Sequence, residues 1–308
     1  MRDKQIDGLK FIMIFCVVLG HIGFNDYGLG IHKVIYSFHM PVFIFLSGYL
    51  TSLKSPQTKI NKWLIKTIII YVCVQLFFHL FSFEDSVNFS KFLSLDIYCL
   101  PVFAMWYLIC LVYWRLFTCK ILNYIKDIEL LGISVLFALI SGFIPIDDYL
   151  SFQRVFAFFP FFVFGVVFKN RNMLVKLEMI PIKYYIWALF VGLIIARLLP
   201  CELYQPKYHY SNINGLVIRL VQSTLGLFLC IIIVRLSRHA SIERFSIFGQ
   251  KTLWIYIGHI FLIKIGGFVF AKYDYTLNFI EAILLSIIYC AIIICINNCY
   301  LRLQRNDL

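Results

Sequence analysis

Residues Lys10 to Ile22 read KFIMIFCVVLGHI. An unbroken apolar run carries a cation at one end and a histidine near the other. From Lys10 to His21 is eleven residues, which on an α-helix is three turns plus about 20°, so both side chains share one face. They lie about 16 Å apart along the axis, half the thickness of a bilayer. Asp7 sits one turn before Lys10 and can pair with it. Lys10 can also snorkel to the membrane surface on its long stem. An ionisable group inside such a run nevertheless directs attention to function.

The rest of the chain has the same character. Of 308 residues, 61% are hydrophobic and 14% charged, and the mean hydropathy is +0.85. A soluble domain is nearer about 45–50% apolar and about 25% charged. Apolar segments of about 20 residues, each able to cross a hydrocarbon core about 30 Å thick, recur throughout. They predict ten spans, over 6–24, 34–53, 63–82, 101–122, 128–145, 152–169, 181–199, 214–236, 252–271 and 277–299. The fold class expected is therefore an all-α, polytopic integral membrane protein. It forms a single membrane-embedded domain over 1–308, with no separate soluble domain. The missing period-two alternation argues against an outer-membrane barrel.

The net charge of +12 implies no nucleic-acid partner here, because topology explains where the cations sit. One set of connectors holds Arg2, Lys4 and Lys10, then Lys54, Lys59, Lys62 and Lys66, then Arg115, Lys120 and Lys126, then Lys169, Arg171, Lys176 and Lys183, then Arg235, Arg238, Arg244 and Lys251, then Arg302 and Arg305. The alternate connectors carry Asp26, Glu84, Asp85, Asp96, Asp147, Asp148, Glu202 and Asp274. Cations mark the cytoplasmic side, so both termini are expected there. Most of the ten cysteines fall inside spans and read as small core residues. Cys99 and Cys201 lie near the expected outer face, and pairing between them is left open. The histidines are scattered over different helices without i,i+4 pairs, so no metal site is expected.

The second span runs back inward and begins SFHMPVFIFLSGYL. A short connector makes it the antiparallel neighbour of the first. His39 then lies at the depth of His21, and the two can face each other. Pro41 reads as part of the first turn of its helix; Ser47 and Gly48 suit close helix packing. Tyr36 and Tyr256 are secondary helpers. Farther along, Arg154, Arg197 and Arg219 fall near outer ends of spans, and His259 sits near mid-membrane with Lys264 farther out. Each arginine either snorkels or helps form an electropositive vestibule for phosphate, pyrophosphate or sugar carboxylates. Trp106 and Tyr107 read as interface belt, as core aromatics, or as a platform for a sugar.

Lys10 and His21, separated by ten residues within IDGLKFIMIFCVVLGH, resemble the basic-residue–ten–histidine motif of the membrane acyltransferase-3 family. YSFHMPVFIFLSGYL resembles that family's sugar O-acetyltransferase branch, described as fucose 4-O-acetylase-like. MWYL, RVFAFFPFFVFG and GQKTLWIYIGH are similar to later segments in the same order. The resemblance implies a ten-helix fold that takes an acyl group, most simply acetyl, from cytoplasmic acyl-CoA. It implies transfer to a sugar hydroxyl of O-antigen, capsule, exopolysaccharide or a lipid-linked glycan, in a bacterial inner membrane. It also implies that His21 is needed for catalysis. Lys10 stands where many members have arginine; an ammonium binds phosphate as a point charge and lacks the two-pronged guanidinium fork.

These readings combine into one expectation. Lys10, with Asp7, steadies a phosphate of acetyl-CoA at the inner mouth, and the pantetheine arm runs up the helix face to His21. His21 acts as base, and His39 orients it or donates to the oxyanion. Arg154, Arg219, Trp106, Tyr107 and His259 hold the glycan acceptor. Direct transfer and an acyl-histidine intermediate both fit. The alternative class is a transporter or flippase for an anionic lipid-linked glycan, with the same ionisable groups as relay and contacts; no matched helix breaks of the kind such proteins show are visible.

Overall fold

A computed structural model describes residues 3–53, 55–80, 96–146, 149–199 and 209–306. Arg2, Lys54, Glu84, Asp85, Asp147, Asp148, Cys201 and Glu202 lie outside the described residues. Among the described residues there are helices and no named strand. Ten are long: α1 (Lys4–His21), α2 (Ile31–Leu50), α3 (Gln57–Leu80), α4 (Trp106–Ile121), α5 (Asp127–Ile140), α6 (Phe152–Asn170), α7 (Ile182–Leu198), α8 (Asn214–Ser237), α9 (Thr252–Lys272) and α10 (Phe279–Asn306). In lipid every backbone polar group needs a partner within the chain, and a helix supplies one locally.

Seven of these helices are long and apolar enough to cross a membrane. The others are α1, which carries Lys4, Asp7 and Lys10, and the shorter α5 and α7. At 14 residues, α5 reaches about 21 Å, short of a core about 30 Å thick. The chain is an all-α, multi-pass membrane protein.

The chain forms two compact units. One contains Met1–Phe43, Val175–Pro200 and Leu225–Leu308; the other contains Ile44–Leu174 and Cys201–Thr224.

In the first unit, α1 is capped by Asp3, whose carboxylate accepts from the backbone N–H groups of Gln5 and Ile6 at 3.0 and 3.2 Å. The same carboxylate takes both prongs of Arg238, at 3.1 and 2.8 Å, so the end of α8 is tied to the start of α1. The next turn of α1 lies directly on a short 3₁₀ turn and helix, Ile242–Phe245 and Ser246–Gly249. Contact is backbone to backbone. A Cβ on Gly8 would run into the Ile242 carbonyl, and one on Gly249 into the Asp7 carbonyl. Phe11 then stacks on Phe245 and Phe248, with centroids 5.8 and 5.2 Å apart. α9 and α10 pack together and both touch α1. Leu229 and Ala196 centre a cluster that also takes Val34 and Phe38 from the first half of α2.

The start of α2 departs from the sequence reading. The helix begins at Ile31, not near 34, because the Asp26 carboxylate accepts from the N–H groups of Gly28 and Ile31, each at 3.1 Å. Pro41 therefore falls in the helix interior. It cannot donate to the Ser37 carbonyl four residues back.

In the second unit, the end of α2 approaches α6 closely. A Cβ on Gly48 would strike the Phe162 carbonyl, and one on Gly165 the Phe45 carbonyl. Small residues let membrane helices meet this way. α5 and α6 pack as an antiparallel pair. The wholly buried Trp114 of α4 donates its indole N–H to the Val155 carbonyl of α6 at 2.7 Å.

Candidate active site

Three helices of the first unit bring their histidines together. His21 is the last residue of α1. Its ring centroid lies 5.4 Å from that of His259 on α9. Tyr36 of α2 stands edge-on to His21 at 6.4 Å and edge-on to His39 at 4.8 Å. Tyr256, one turn before His259, completes the group at 6.1 Å from it. His39 and His259 are buried, each 1% exposed, while His21 is half-buried.

Helix geometry fixes the tautomers. A side chain at position i lies over the carbonyl of residue i−4. His21 Nδ1 is 2.8 Å from the Val17 carbonyl, His39 Nδ1 is 2.7 Å from that of Ile35, and His259 Nδ1 is 3.0 Å from that of Ile255. A carbonyl only accepts, so in each neutral ring Nδ1 carries the proton and Nε2 keeps its lone pair. His21 thus ends α1 with a basic nitrogen directed away from its own helix. The Nε2 of His259 is buried and has no hydrogen-bond partner among the described residues. A buried orphan of this kind marks a strained or functional site.

Tyr36 holds this arrangement from the side. Its hydroxyl donates to the Gly20 carbonyl at 3.0 Å. That carbonyl belongs to the last turn of α1, where acceptors have no partner within the helix. One hydrogen bond therefore closes a helix end and places a ring between two histidines.

At the other end of α1, Lys10 pairs with Asp7 at 3.4 Å. Asp7 is buried at 3% exposure, and Lys10 is half-buried. Arg244 belongs to the segment packed on this turn, with its guanidinium over the Phe245 ring at 5.8 Å; Lys251 follows that segment and donates to Asn298 Oδ1. The face that joins Lys10 to His21 is closed: Ile14, Val17 and Val18 are at most 1% exposed. Those three side chains leave no exposed strip on that face between Lys10 and His21.

The remaining expected site residues lie in the second unit. Arg154 sits over the Trp106 ring at 5.2 Å, and Trp106 stacks on Phe158 at 5.3 Å. The Tyr107 hydroxyl shares a 2.7 Å hydrogen bond with Ser47. Both aromatics are buried. Arg219 is also buried, at 4% exposure. Its Nη1 donates to the Ala138 carbonyl at 3.1 Å, and to Ser141 Oγ and Gln153 Oε1 at 3.2 Å each. Its guanidinium covers the Tyr210 ring at 4.7 Å. Gln153 in turn donates to the Ser141 and Ile144 carbonyls at 2.9 and 2.8 Å. Arg219 is therefore the centre of a neutral cage that joins the end of α5, the start of α6 and the start of α8.

Sequence reading paired His21 with His39 and set His259 among acceptor contacts; the structure puts His259 beside His21 and reaches His39 through Tyr36. Tyr36 had a signal in its position one turn before His39, but its bond to Gly20 depends on how α2 leans on α1. Among the described residues, no three His, Cys, Asp or Glu groups converge in a metal-holding arrangement.

No curated protein and no solved structure matches the chain. A family model described as an acyltransferase domain does match, over residues 3–297. That range takes in the closed α1 turn with Lys10, the histidine cluster, and both units. The chain is a membrane-embedded acyltransferase and belongs to the acyltransferase-3 family.

Proposed function

We propose that this enzyme is an O-acetyltransferase of a bacterial inner membrane, with both termini cytoplasmic. It moves an acetyl group from cytoplasmic acetyl-CoA to a sugar hydroxyl of a cell-surface or lipid-linked glycan, such as O-antigen, capsule or exopolysaccharide. The observation that carries this reading is the histidine cluster at the end of α1. An alcohol needs a base to attack a thioester, and His21 offers Nε2 with its tautomer held by the Val17 carbonyl.

In this mechanism His21 Nε2 takes the proton of the sugar hydroxyl as its oxygen bonds to the thioester carbon. The carbon–sulfur bond breaks, and the imidazolium returns the proton to the departing CoA thiolate. The ester and free CoA are the products. His259, 5.4 Å away by centroid, presents a lone pair that steadies the His21 imidazolium. Tyr36 keeps the His21 and His39 rings in register. Lys10 and Arg244 supply positive charge for the CoA phosphates toward the opposite end of α1, and Asp7 fixes Lys10. Arg154 over Trp106 is a candidate contact for an anionic part of the glycan carrier. Arg219, with its guanidinium caged, acts by holding the corner of α5 and α6.

The test compares glycans by mass spectrometry from cells expressing wild type or His21→Ala at equal membrane abundance. An ester-linked acetyl mass is expected with wild type alone. Equal acetylation in both strains would remove His21 as the base. No ester in either, with glycan export impaired by the substitution, would favour a transporter.

A further inference from the structure

The chain lines a cavity of 520 Å³ that begins one residue after His21. Its size falls within the range of small-molecule sites, about 300–1,000 Å³. One wall is the strand-like exit from α1, Ile22 to Asn25. Another is α9, through Ile263, Gly267 and Phe270. These three follow His259 by four, eight and eleven positions, so they continue the face of α9 that carries His259. The turn Tyr275–Leu277 and the α10 side chains Leu285 and Tyr289 line the remaining side.

The walls are held in place. The Asn25 N–H donates to the Leu277 carbonyl at 2.8 Å. The Tyr275 hydroxyl donates to Glu281 Oε1 at 2.6 Å, and the Asn278 N–H donates to Glu281 Oε2 at 2.8 Å. The lining contains no Lys, Arg, His, Asp or Glu. Aromatic rings of Phe24, Phe270, Tyr275 and Tyr289 alternate with polar groups of Asn25 and Thr276. Flat apolar faces with a few amides and hydroxyls suit a neutral ring that carries hydroxyl groups. The cations that would attract CoA phosphates lie at the far end of α1, about 16 Å from His21.

We infer that this cavity is the acceptor site and that it takes a neutral sugar ring, whose hydroxyl it delivers to His21. The inference rests on the transferase reading above and places the acceptor in the same unit as the base. Two glycines make it testable. A Cβ on Gly23 or Gly267 would meet nothing within 4 Å, and neither has a positive φ. Both glycines line the cavity, and the space around their Cβ positions leaves room to build side chains that occupy it. Gly266 is the contrast, since its Cβ would strike the Tyr289 hydroxyl.

The experiment uses labelled acetyl-CoA and, as acceptor probe, the glycolipid fraction extracted from the cells that make the glycan. Gly267→Leu and Gly23→Val are expected to raise the acceptor KM tenfold or more. Gly267→Ala is expected to raise it less. The shift in thermal unfolding that acetyl-CoA produces should equal wild type in all three, which shows the donor end intact. Wild-type acceptor dependence in Gly267→Leu and Gly23→Val would overturn the proposal and leave the transferase reading standing. Unchanged transfer with loss of a co-purifying phospholipid would also overturn it and make the cavity a lipid site. Absence of any label on glycolipid with wild-type enzyme would overturn both.

Discussion

At the scale of single residues, the site depends on groups that restrain the histidines. Tyr36 is the clearest. Its hydroxyl satisfies the Gly20 carbonyl, and its ring separates His21 from His39. Tyr36→Phe keeps the ring and removes the bond. Net loss of one such hydrogen bond costs about 1 kcal/mol. A base misplaced by a fraction of an ångström costs more in rate, roughly ten- to hundredfold. The expected outcome is a small fall in thermal stability with a much larger fall in kcat and little change in acceptor KM. Proportionate losses in stability and activity would give Tyr36 a packing role only. Arg219 shows the opposite balance. Arg219→Met removes the donor to Ser141 Oγ and Gln153 Oε1 and leaves the Ala138 carbonyl with the Ser141 hydroxyl alone, a loss on the order of 3 kcal/mol. Detergent-solubilised protein should unfold at lower temperature, while the surviving folded fraction keeps its acceptor KM. Unchanged stability with a raised KM would instead make Arg219 a substrate contact.

At the scale of elements, the site is set by how α1 sits on the Ile242–Gly249 segment that leads into α9. Gly8 and Gly249 allow backbone contact there, so the lever that carries His259 is clamped to the helix that carries His21. Gly249→Ala places a methyl against the Asp7 carbonyl and is expected to cut folded membrane protein severalfold, read by fluorescence size exclusion. Gly132→Ala, where a Cβ has nothing within 4 Å, is the control and should be neutral or mildly stabilising in helix α5. Equal yields would mean that the contact is not tight. Much of this level was legible in advance. Each of the ten apolar segments meets a helix among the described residues, seven of them long and apolar enough to cross a membrane, because length and hydropathy are local. The true start of α2 was not, since the Asp26 cap that adds Ile31–Lys33 to the helix looks like ordinary connector. The neighbour of His21 was not legible either. Depth along a span puts His21 and His39 at one level, but only packing of α1 on α9 brings in a histidine from far along the chain. Arg219 read as an outer cation for the same reason: its partners lie in a turn before α6, and nothing in its own helix points to them.

At the scale of the whole molecule, charge and apolarity divide the labour along α1. Lys10 and the Arg244 segment lie toward the end that the charge pattern assigns to the cytoplasm. The histidines and an uncharged cavity occupy the other end. On the proposed reading, the acyl group passes from the Lys10 end of α1 to the pocket beside His21, while Ile14, Val17 and Val18 between them are at most 1% exposed. The motif spacing conveyed the two ends but not the packing between them. Membrane acyl transfer at His21 is the central claim, and inverted vesicles test it most directly. Labelled acetyl-CoA is supplied on the exposed cytoplasmic face, and alkali-labile label on glycolipid is counted for wild type and His21→Ala at equal abundance. The account predicts label with wild type and a loss of at least a hundredfold with the variant. Equal label in the two, from protein of equal folding, would contradict it.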